Sequence, residues 1–391
     1  MKILIITNLF PNAQEPGRGI FNKQQFDCLK KWGEIRVVAP LPWFPRWIKS
    51  NKRSLITQIQ EEEVIDGITV YHPRYFVLPK IGRSFYGWFL YAGIRRLMRN
   101  ILKTFDFDVI LATWAYPDAF AAALVARDLH KPFVIRVHGT DVHIAGQYYW
   151  RRKMMAEAFH KAYRVVAVSD QLKQKIAEMG IEKEKIQIIP NGVNKELFHP
   201  MNKTSCRQTL LLDESKGHVV YIGNLVPMKG VHFLIEAFSR LSTDIHLHII
   251  GEGEYRSFLE EEARNKSING RVKFYGRVKH EEVPLWLNAA DIFCLPSLSE
   301  GCPNVLLEAL ACGTSVVATH VGGIPELTEG RPDVLLVTPK NPLALADAIK
   351  EGLNIEKDRC HGSAHVMSWE QNARCVWDIL EQAVQAGVSV R

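Results

Sequence analysis

Two glutamates, Glu300 and Glu308, lie on either side of a predicted helix start, with seven residues between them. A strand-like run precedes the pair. Pro303 fits the first helical position, where its missing N–H costs nothing, and Gly313 fits the end of the helix. A second strand-like run follows Gly313. The segment therefore predicts a strand–helix–strand unit that holds two carboxylates.

The start of this helix is suited to a phosphate group. The first N–H groups of a helix, here around residues 304–306, have no partner inside the helix and attract anions. Glu308 follows roughly 7–8 Å along the axis, at about 1.5 Å per residue, where a carboxylate could bind both hydroxyls of a ribose. Glu300 would face the group beyond the diphosphate. The spacing suits a nucleotide-diphosphate sugar; two solvated surface acids are the alternative that spacing alone leaves open.

A second loop of the phosphate-binding kind covers residues 223–230, between a predicted strand and a predicted helix. Gly223 allows close backbone approach to a phosphate, and Lys229 can neutralise the charge of a leaving diphosphate. Taken alone, Lys229 could equally be a surface lysine. Together with the helix start near Pro303, the loop predicts a diphosphate site.

The composition is that of a globular protein with two domains. The chain has 391 residues, of which 47% are hydrophobic and 23% charged, and this length exceeds what one core usually serves. The first apolar run is too short for a signal peptide, and no run reaches the ~18–20 residues of a membrane span. Seven scattered cysteines without a Cys-x-x-Cys pair indicate reduced thiols. We therefore expect a cytoplasmic protein.

Positive charge is concentrated in the first half. Residues 1–195 contain 30 Lys and Arg against 17 Asp and Glu, a net +13, whereas the remainder carries 19 against 25, a net −6. Residues 43–53 and 83–99 mix aromatic, aliphatic and basic side chains, which suits a helix at an anionic membrane on the inner face of the cell. The alternative is that their apolar side chains pack on the first domain. No recognisable nucleic-acid-binding module is present, so we expect no nucleic acid partner.

Strand-like and helix-like stretches alternate in both halves, with a polar passage near residue 195. This rhythm predicts two mostly parallel sheets covered by helices on both faces. Two such domains would bind ligand in a cleft at the carboxyl ends of their strands. We predict domains at 1–195 and 196–370, with a C-terminal helix at 371–391 that packs on the first domain.

These motifs resemble the retaining glycosyltransferases of family 4, which have the two-domain GT-B fold. The family pattern is Glu-(seven residues)-Glu, then Ala-x-Ala-x-Gly, a Val-Val-Ala-Thr strand and Gly-Gly-x-Pro-Glu; this chain has it from Glu300 to Glu326. Further matches are Ile-Pro-Asn-Gly-Val at 189–193 and Ile-Gly-Glu-Gly at 250–253. The resemblance covers nearly the whole chain and is densest at 186–326.

The resemblance implies roles for individual residues. Lys229 would face the diphosphate, Glu300 would hold the donor sugar, and His138 would lie beside that sugar; these are the candidate catalytic residues. The remaining candidates would contact the donor through the ribose carboxylate, loop backbones and the edge of the base: Gly17, Gly19, Asn224, Gly251, Gly253, Arg277, Val278, Gly301, Cys302, Pro303, Asn304, Val305 and Glu308.

One position departs from the family pattern. Asn224 stands where the family usually has an arginine, so Lys229 would carry the positive charge of that loop largely alone. Arg18, Arg277 or a helix dipole could compensate, and the sequence does not decide among them.

Patterns that suggest other chemistries are better explained as structure. Asp106-Phe-Asp108 matches a metal motif of a different glycosyltransferase fold but here leads into a strand. His138, Asp141 and His143 lack a further ligand cluster, so we expect no metal site. Gly17 to Asn22 is an incomplete dinucleotide fingerprint, which argues against an oxidoreductase. The two glutamates do not resemble the acid/base pair of a hydrolase.

We therefore expect a metal-free, cofactor-free hexosyltransferase. It would move a hexose or N-acetylhexosamine, with retention, from a UDP- or GDP-linked sugar to a hydroxyl acceptor, which we expect to be a cell-surface polysaccharide or its lipid-linked precursor. Two alternatives stay open. A sugar-nucleotide epimerase or phosphorylase of the same fold would not release nucleotide on addition of an acceptor, and a non-catalytic sensor would bind donor without turnover.

Overall fold

The computed structural model describes residues 1–43, 56–78, 82–354 and 366–389. The chain divides into two compact units. The first contains Met1–Asn191 and Trp369–Arg391, and the second contains Gly192–Ser368. Each unit is described by itself below, because each has its own sheet and its own core.

The first unit is built on an eight-stranded sheet with the order β10-β9-β8-β7-β1-β2-β5-β4. All neighbours are parallel except the edge pair of β4 and β5. A separate parallel pair joins β3 and β6. The strands are β1 (Lys2–Ile6), β2 (Glu34–Val38), β3 (Leu41–Trp43), β4 (Glu62–Ile65), β5 (Ile68–Tyr71), β6 (Arg74–Phe76), β7 (Val109–Ala112), β8 (Phe133–Arg136), β9 (Val165–Ala167) and β10 (Ile186–Ile188). The helices between them are α1 (Ile20–Leu29), α2 (Tyr86–Thr104), α3 (Phe120–Leu129), α4 (Thr140–Gly146), α5 (Tyr149–Lys161) and α6 (Asp170–Ala177).

The second unit has a six-stranded, fully parallel sheet with the order β13-β12-β11-β14-β15-β16. Its strands are β11 (Gly217–Ile222), β12 (Ile245–Ile250), β13 (Val272–Gly276), β14 (Ile292–Leu295), β15 (Ser315–Thr319) and β16 (Val334–Val337). Its helices are α7 (Lys203–Thr209), α8 (Val231–Phe238), α9 (Arg256–Asn265), α10 (Val283–Ala289), α11 (Asn304–Ala311), α12 (Ile324–Thr328) and α13 (Pro342–Asn354). Apolar clusters cover both faces of the sheet. The prediction of two Rossmann-like α/β domains is confirmed.

Each sheet contains a point at which the strand order reverses. In the second unit the chain passes from β11 to β12 on one side and from β14 to β15 on the other. In the first unit it passes from β1 to β2 on one side and from β7 to β8 on the other. The loops that follow the two central strands therefore leave the sheet in opposite directions and form a crevice, where open α/β sheets bind ligands.

The last helix, α14 (Trp369–Ser389), belongs to the first unit, where it packs along α1. The amide of Gln25 donates to Asn372 Oδ1 at 2.5 Å, and the fully buried guanidinium of Arg136 donates to the same oxygen at 3.3 Å. Arg136 also donates to Asn191 Oδ1 at 2.8 Å. The buried Arg136 thus binds both Asn191, the last residue of the first segment of this unit, and helix α14, which belongs to its second segment.

Helix α2 uses its apolar side chains inside the first unit. Leu90, Ile94, Met98 and Ile101 are buried. Burial of this stripe favours the alternative, in which the apolar side chains pack on the first domain. Association of the first unit with a membrane stays a prediction. Residues 44–53 of the other basic segment lie outside the described residues. No helix in the described part of the chain is long and apolar enough to cross a membrane.

A chain of hydrogen bonds between neutral imidazoles crosses the second sheet. His218 and His248 are each 1% exposed, and His218 Nδ1 lies 2.9 Å from His248 Nε2. Since the Asp213 carbonyl can only accept, His218 Nε2 donates to it at 2.8 Å. His218 Nδ1 then accepts from His248, whose Nδ1 accepts from the Tyr275 hydroxyl at 2.9 Å. A proton added to His218 Nδ1 would face the N–H of His248 Nε2, so that two donors would lie against each other. Burial accordingly lowers the pKa of His218, and burial with the nearby positive charges lowers the pKa of His248 to about 3.

These histidines should make stability depend on pH. Between about pH 6.5 and pH 3 the histidines are protonated in the unfolded chain but stay neutral in the native protein. The free energy of unfolding therefore falls as the pH falls. We expect His248→Gln to lower the free energy of unfolding at pH 7.5, because the packing of the imidazole is lost. Between pH 6.5 and 4.5, however, the free energy of unfolding of the variant should fall less steeply than that of the wild type. The difference between the two slopes should approach about 1.4 kcal/mol per pH unit, the value for one proton. Urea unfolding across this range measures both slopes, and identical slopes would contradict the assignment of neutral rings.

Candidate functional site

The loops after β11 and β14 meet at the crevice of the second unit. The N–H of Leu298 donates to the Met228 carbonyl at 2.9 Å, which joins the two loops along their backbones. Lys229 is the last residue of the short helical turn Pro227–Lys229, and Glu300 lies in the loop between β14 and α11. The junction places the lysine ammonium and the glutamate carboxylate side by side.

Lys229 Nζ lies 2.6 Å from Glu300 Oε1. The hydroxyl of the fully buried Ser297 donates to the same oxygen at 2.6 Å. The Glu300 side chain is 8% exposed and that of Lys229 is 28% exposed, so the pair is open to solvent mainly on its cationic side. Sequence reasoning gave these two residues separate roles; the structure brings them into direct contact. The Lys229 ammonium, which we expect to bind a diphosphate, therefore already forms an ion pair with a carboxylate.

A tight turn supports Glu300 from behind. Gly322 has φ +62°, and a Cβ at this position would lie 1.8 Å from the Glu300 carbonyl oxygen. Only glycine allows this approach of the two backbones. The Gly-Gly-x-Pro-Glu motif therefore fixes the backbone at Glu300, although it lies more than twenty residues further along the chain.

Helix α11 begins at Asn304, immediately after this loop. Pro303 is the N-cap residue, with ψ 114°, rather than the first helical residue as predicted, so the helix starts one residue later. Its ring still suits the position because the N-cap has extended backbone. The other predicted donor contacts of this loop surround the helix start: Gly301, Cys302, Asn304 and Val305, of which Cys302 is buried and the others are half-buried.

Glu308 is held by a residue that sequence reasoning missed. His280 Nε2 lies 3.0 Å from Glu308 Oε1, and the imidazole packs edge-on against the buried ring of Phe198, with 5.2 Å between centroids. Burial opposes the charged imidazole, but the hydrogen bond and charge of Glu308, with Glu281 nearby, raise the pKa of His280 above its ordinary value. The signal in the sequence was a lone histidine before two acids, which has no periodic or motif context.

The glycines after β12 have a structural reason that the sequence could not show. A Cβ on Gly251 would lie 1.9 Å from the Gly223 carbonyl oxygen, and one on Gly253 would lie 2.1 Å from the Leu225 carbonyl oxygen. Both side-chain positions are filled by the backbone of the loop that carries Lys229. Contact of these glycines with a donor stays a prediction.

The remaining candidates of the second unit lie at the same edge of its sheet. Asn224 has an exposed side chain, and its carbonyl accepts from the buried Tyr221 hydroxyl at 3.0 Å. Arg277 is exposed after β13. Val278 is half-buried and packs on a small cluster that includes Trp286. Their contacts with a donor also stay predictions.

In the first unit, His138 follows β8 and lies among aromatic rings. Phe21 and Trp114 have their ring centroids 4.7 and 6.2 Å from that of the imidazole. Both ring nitrogens are buried, and within the described ranges neither has a hydrogen-bond partner. Burial and the nearby Arg136 charge lower the pKa of His138 well below its ordinary value. The imidazole is therefore neutral and can both donate and accept one hydrogen bond.

Asp141 organises the strand ends around this histidine. Its Oδ1 accepts from the N–H groups of His138 at 3.1 Å and Gly139 at 2.8 Å, and its Oδ2 accepts from Ala115 at 2.8 Å. The carboxyl thus serves the backbone. Within the part of the chain that the structure describes, no group of three His, Cys, Asp or Glu residues could hold a metal ion.

The loop with Gly17 and Gly19 closes on itself. A Cβ on Gly19, which has φ +61°, would lie 2.3 Å from the Leu9 carbonyl oxygen, whereas one on Gly17 would meet no atom of the described residues within 4 Å. Arg18 donates to the Asn8 carbonyl at 2.9 and 3.1 Å and pairs with Glu15 at 2.8 Å. The charge of Arg18, one of the suggested substitutes for the arginine missing at 224, is thus used within its own loop.

Comparison with known proteins agrees with this arrangement. A family model described as "Glycosyl transferases group 1" matches residues 202–374, and one described as "Glycosyltransferase Family 4" matches residues 54–197. The chain is 33% identical over 366 residues to TuaC of Bacillus subtilis, which is named as a putative teichuronic acid biosynthesis glycosyltransferase; the match covers 89% of this chain and 88% of that protein. It is 29% identical to the amylovoran biosynthesis glycosyltransferase AmsK of Erwinia amylovora, over 62% and 61% of the two chains.

Solved structures share the fold. HepE of Anabaena, solved in complex with UDP, has a TM-score of 0.70 over 100% of both chains at 19% identity. The lipopolysaccharide outer core galactosyltransferase WaaB has a TM-score of 0.67 over 98% and 99% of the chains at 17% identity. The two family models together span most of the chain, and a relative above 30% identity covers nearly all of it. The protein belongs to the family 4 glycosyltransferases with the GT-B fold.

Proposed function

We propose that this glycosyltransferase moves a hexose or N-acetylhexosamine from a UDP- or GDP-linked sugar to a hydroxyl acceptor with retention, in the biosynthesis of a cell-surface polysaccharide. The observation that carries the proposal is the contact of Glu300 with Lys229 and Ser297 beside the start of α11. It places one cation, one carboxylate and a helix start at the same crevice. The names of TuaC and AmsK support a polysaccharide product, and the UDP complex of HepE supports a nucleotide donor.

The second unit would bind the donor. The diphosphate would lie at the start of α11, where the helix dipole and Lys229 stabilise negative charge that grows as the bond to the sugar breaks. Glu308, oriented by His280, would bind the ribose hydroxyls. As the diphosphate binds Lys229, Glu300 would be released from the lysine and would bind the sugar hydroxyls. These groups supply the charge stabilisation that a metal ion gives elsewhere, so we propose that no metal is needed.

The first unit would take the acceptor. The neutral His138 would orient the sugar, and the leaving phosphate would accept the proton of the acceptor hydroxyl as an oxocarbenium-like sugar forms. Release of nucleoside diphosphate that depends on acceptor separates this reaction from epimerisation, phosphorolysis and non-catalytic sensing.

Exposed aromatic rings on the first unit support a lipid-linked acceptor at an anionic membrane surface. Phe85 and Trp88 at the start of α2 are 59% and 48% exposed, and Tyr149 and Trp150 at the start of α5 are 70% and 62% exposed. Three basic residues, Arg151 to Lys153, follow directly. Aromatic rings beside basic side chains are typical of groups that bind at the lipid headgroups.

Lys229→Met should abolish most of the transfer while the fold is kept. Loss of one group that stabilises developing charge costs about 10²–10³ in turnover. Lys216→Met is the matched control, because Lys216 is also paired, with Asp244 at 2.6 Å, but precedes β11 at the opposite edge of the same sheet. Release of UDP or GDP, measured with and without acceptor in buffer containing EDTA, should collapse only in Lys229→Met. Equal activity of the two variants would remove Lys229 from the mechanism.

The membrane proposal predicts binding to phosphatidylglycerol vesicles but not to phosphatidylcholine vesicles. Binding should weaken at about 0.5 M salt, where charges are screened beyond a few ångströms. The double change of Trp88 and Trp150 to Ser should reduce co-flotation at least several-fold. Leu211→Ser, at a 91% exposed site in the second unit, serves as the control. Unchanged co-flotation of the double variant, or equal binding to both lipids, would contradict the proposed surface.

A further inference from the structure

The crevice of the first unit is spanned by a carboxyl group to which the proposed reaction assigns no role. Asp118 lies in the loop after β7 and is 0% exposed. Its Oδ2 accepts from the N–H of Asn8, in the loop after β1, at 2.7 Å. These are the two loops that leave the sheet in opposite directions. The bond therefore joins the crevice walls of this unit, as the contact of Lys229 with Glu300 does in the second unit.

The bond anchors the base of the glycine loop, residues 8–19. Asp118 binds the N–H of Asn8 and Arg18 binds its carbonyl, so this residue is fixed on both sides. The amide of Asn22 donates to the Leu9 carbonyl at 2.8 Å, against which Gly19 also packs. Removal of Asp118 would leave the Asn8 end of the glycine loop without its link to the loop after β7.

Asp118 is less well satisfied than its neighbour Asp141. Asp141 accepts three backbone N–H groups with its two oxygens. Asp118 accepts one, and among the described residues its buried Oδ1 has no hydrogen-bond partner. A buried carboxylate with one donor is costly, because its charge is neither hydrated nor paired. The geometry thus favours a protonated Asp118.

The groups around Asp118 agree with a neutral carboxyl. Burial and the charge of Asp141 on α4 raise the pKa of Asp118 to about 8, against the opposing effects of the Asn8 N–H and of Arg18 in the glycine loop. Tyr75 of β6 also lies near Asp118 and Arg18, and its hydroxyl is neutral because burial raises its pKa. Asp118 is therefore mostly neutral at pH 7 and becomes charged above about pH 8.

We propose that Asp118 is a positioning residue that holds the glycine loop, with Gly17 and Gly19, in the conformation needed for sugar transfer. The inference rests on the proposed function and on the role that the family resemblance implies for Gly17 and Gly19, namely contact with the donor. In its neutral form the carboxyl binds Asn8 without adding a second negative charge beside Asp141. Once ionised, it would repel both Asp141 and a substrate phosphate near the loop.

Asp118→Asn and Asp118→Ala test the proposal, with Asp108→Ala as the matched control. Asp108 Oδ2 accepts from the Lys2 N–H at the same 2.7 Å and joins the same two strands at their opposite ends, away from the crevice. The Asp118→Asn variant keeps a neutral acceptor for the Asn8 N–H, whereas the Asp118→Ala variant has none. Amide hydrogen exchange over residues 8–19 measures the loop without reference to activity.

We expect Asp118→Ala to speed exchange across residues 8–19 and to lower the turnover number about tenfold or more, since misplacement of reacting groups by about 1 Å can cost 10²-fold. Asp118→Asn should restore both values to within a few-fold of wild type at pH 7. The wild type should lose turnover above about pH 8, where Asp118 ionises, and Asp118→Asn should lack that loss. Asp108→Ala should leave exchange in the glycine loop unchanged.

Unchanged exchange in Asp118→Ala, or equal damage in the Asn and Ala variants at pH 7, would overturn the positioning role. Failure of the wild type to transfer any nucleotide sugar would instead overturn the proposed function. The exchange experiment would still decide whether Asp118 holds the loop.

Discussion

The contact between Lys229 and Glu300 exists because the strand order reverses between β11 and β14. The loops that follow these neighbouring strands run in opposite directions, so they lie close together only near the strand ends. There Glu300 is within hydrogen-bonding distance of a lysine and of a buried serine. The first unit repeats the arrangement with Asn8 and Asp118. In each unit a polar contact thus holds the crevice walls together at the point where a parallel sheet binds its ligand.

Two carboxylates at the crevice of the second unit each have a basic partner. Lys229 is paired with Glu300, and His280 is paired with Glu308. A partly buried ion pair of this kind contributes little net stability, because the cost of its desolvation offsets much of its attraction. An anionic ligand can therefore replace the carboxylate on Lys229 with little loss. The same replacement would free Glu300 for sugar hydroxyls, so that donor binding and sugar recognition would be one event.

Local patterns in the sequence were enough to predict the alternating strands and helices and the glutamate-bearing loop and helix. They could not predict contacts that depend on strand order. Lys229 and Glu300 are 71 residues apart, and Asn8 and Asp118 are 110 apart. His280 was missed because only folding brings it to Glu308. The apolar stripe of α2 was ambiguous for the opposite reason, since amphipathic periodicity is the same whether a helix packs on a core or on a lipid surface.

Binding of nucleoside diphosphate to the wild type, Lys229→Met, Glu300→Gln and the double variant tests the central claim most directly. Calorimetry with UDP and GDP should show that Lys229→Met weakens binding of the preferred nucleotide at least tenfold. Glu300→Gln should bind it as tightly as the wild type or more tightly, because the lysine no longer has a competing carboxylate. Equal affinity of Lys229→Met and wild type, or a loss in Glu300→Gln as large as that in Lys229→Met, would contradict the account.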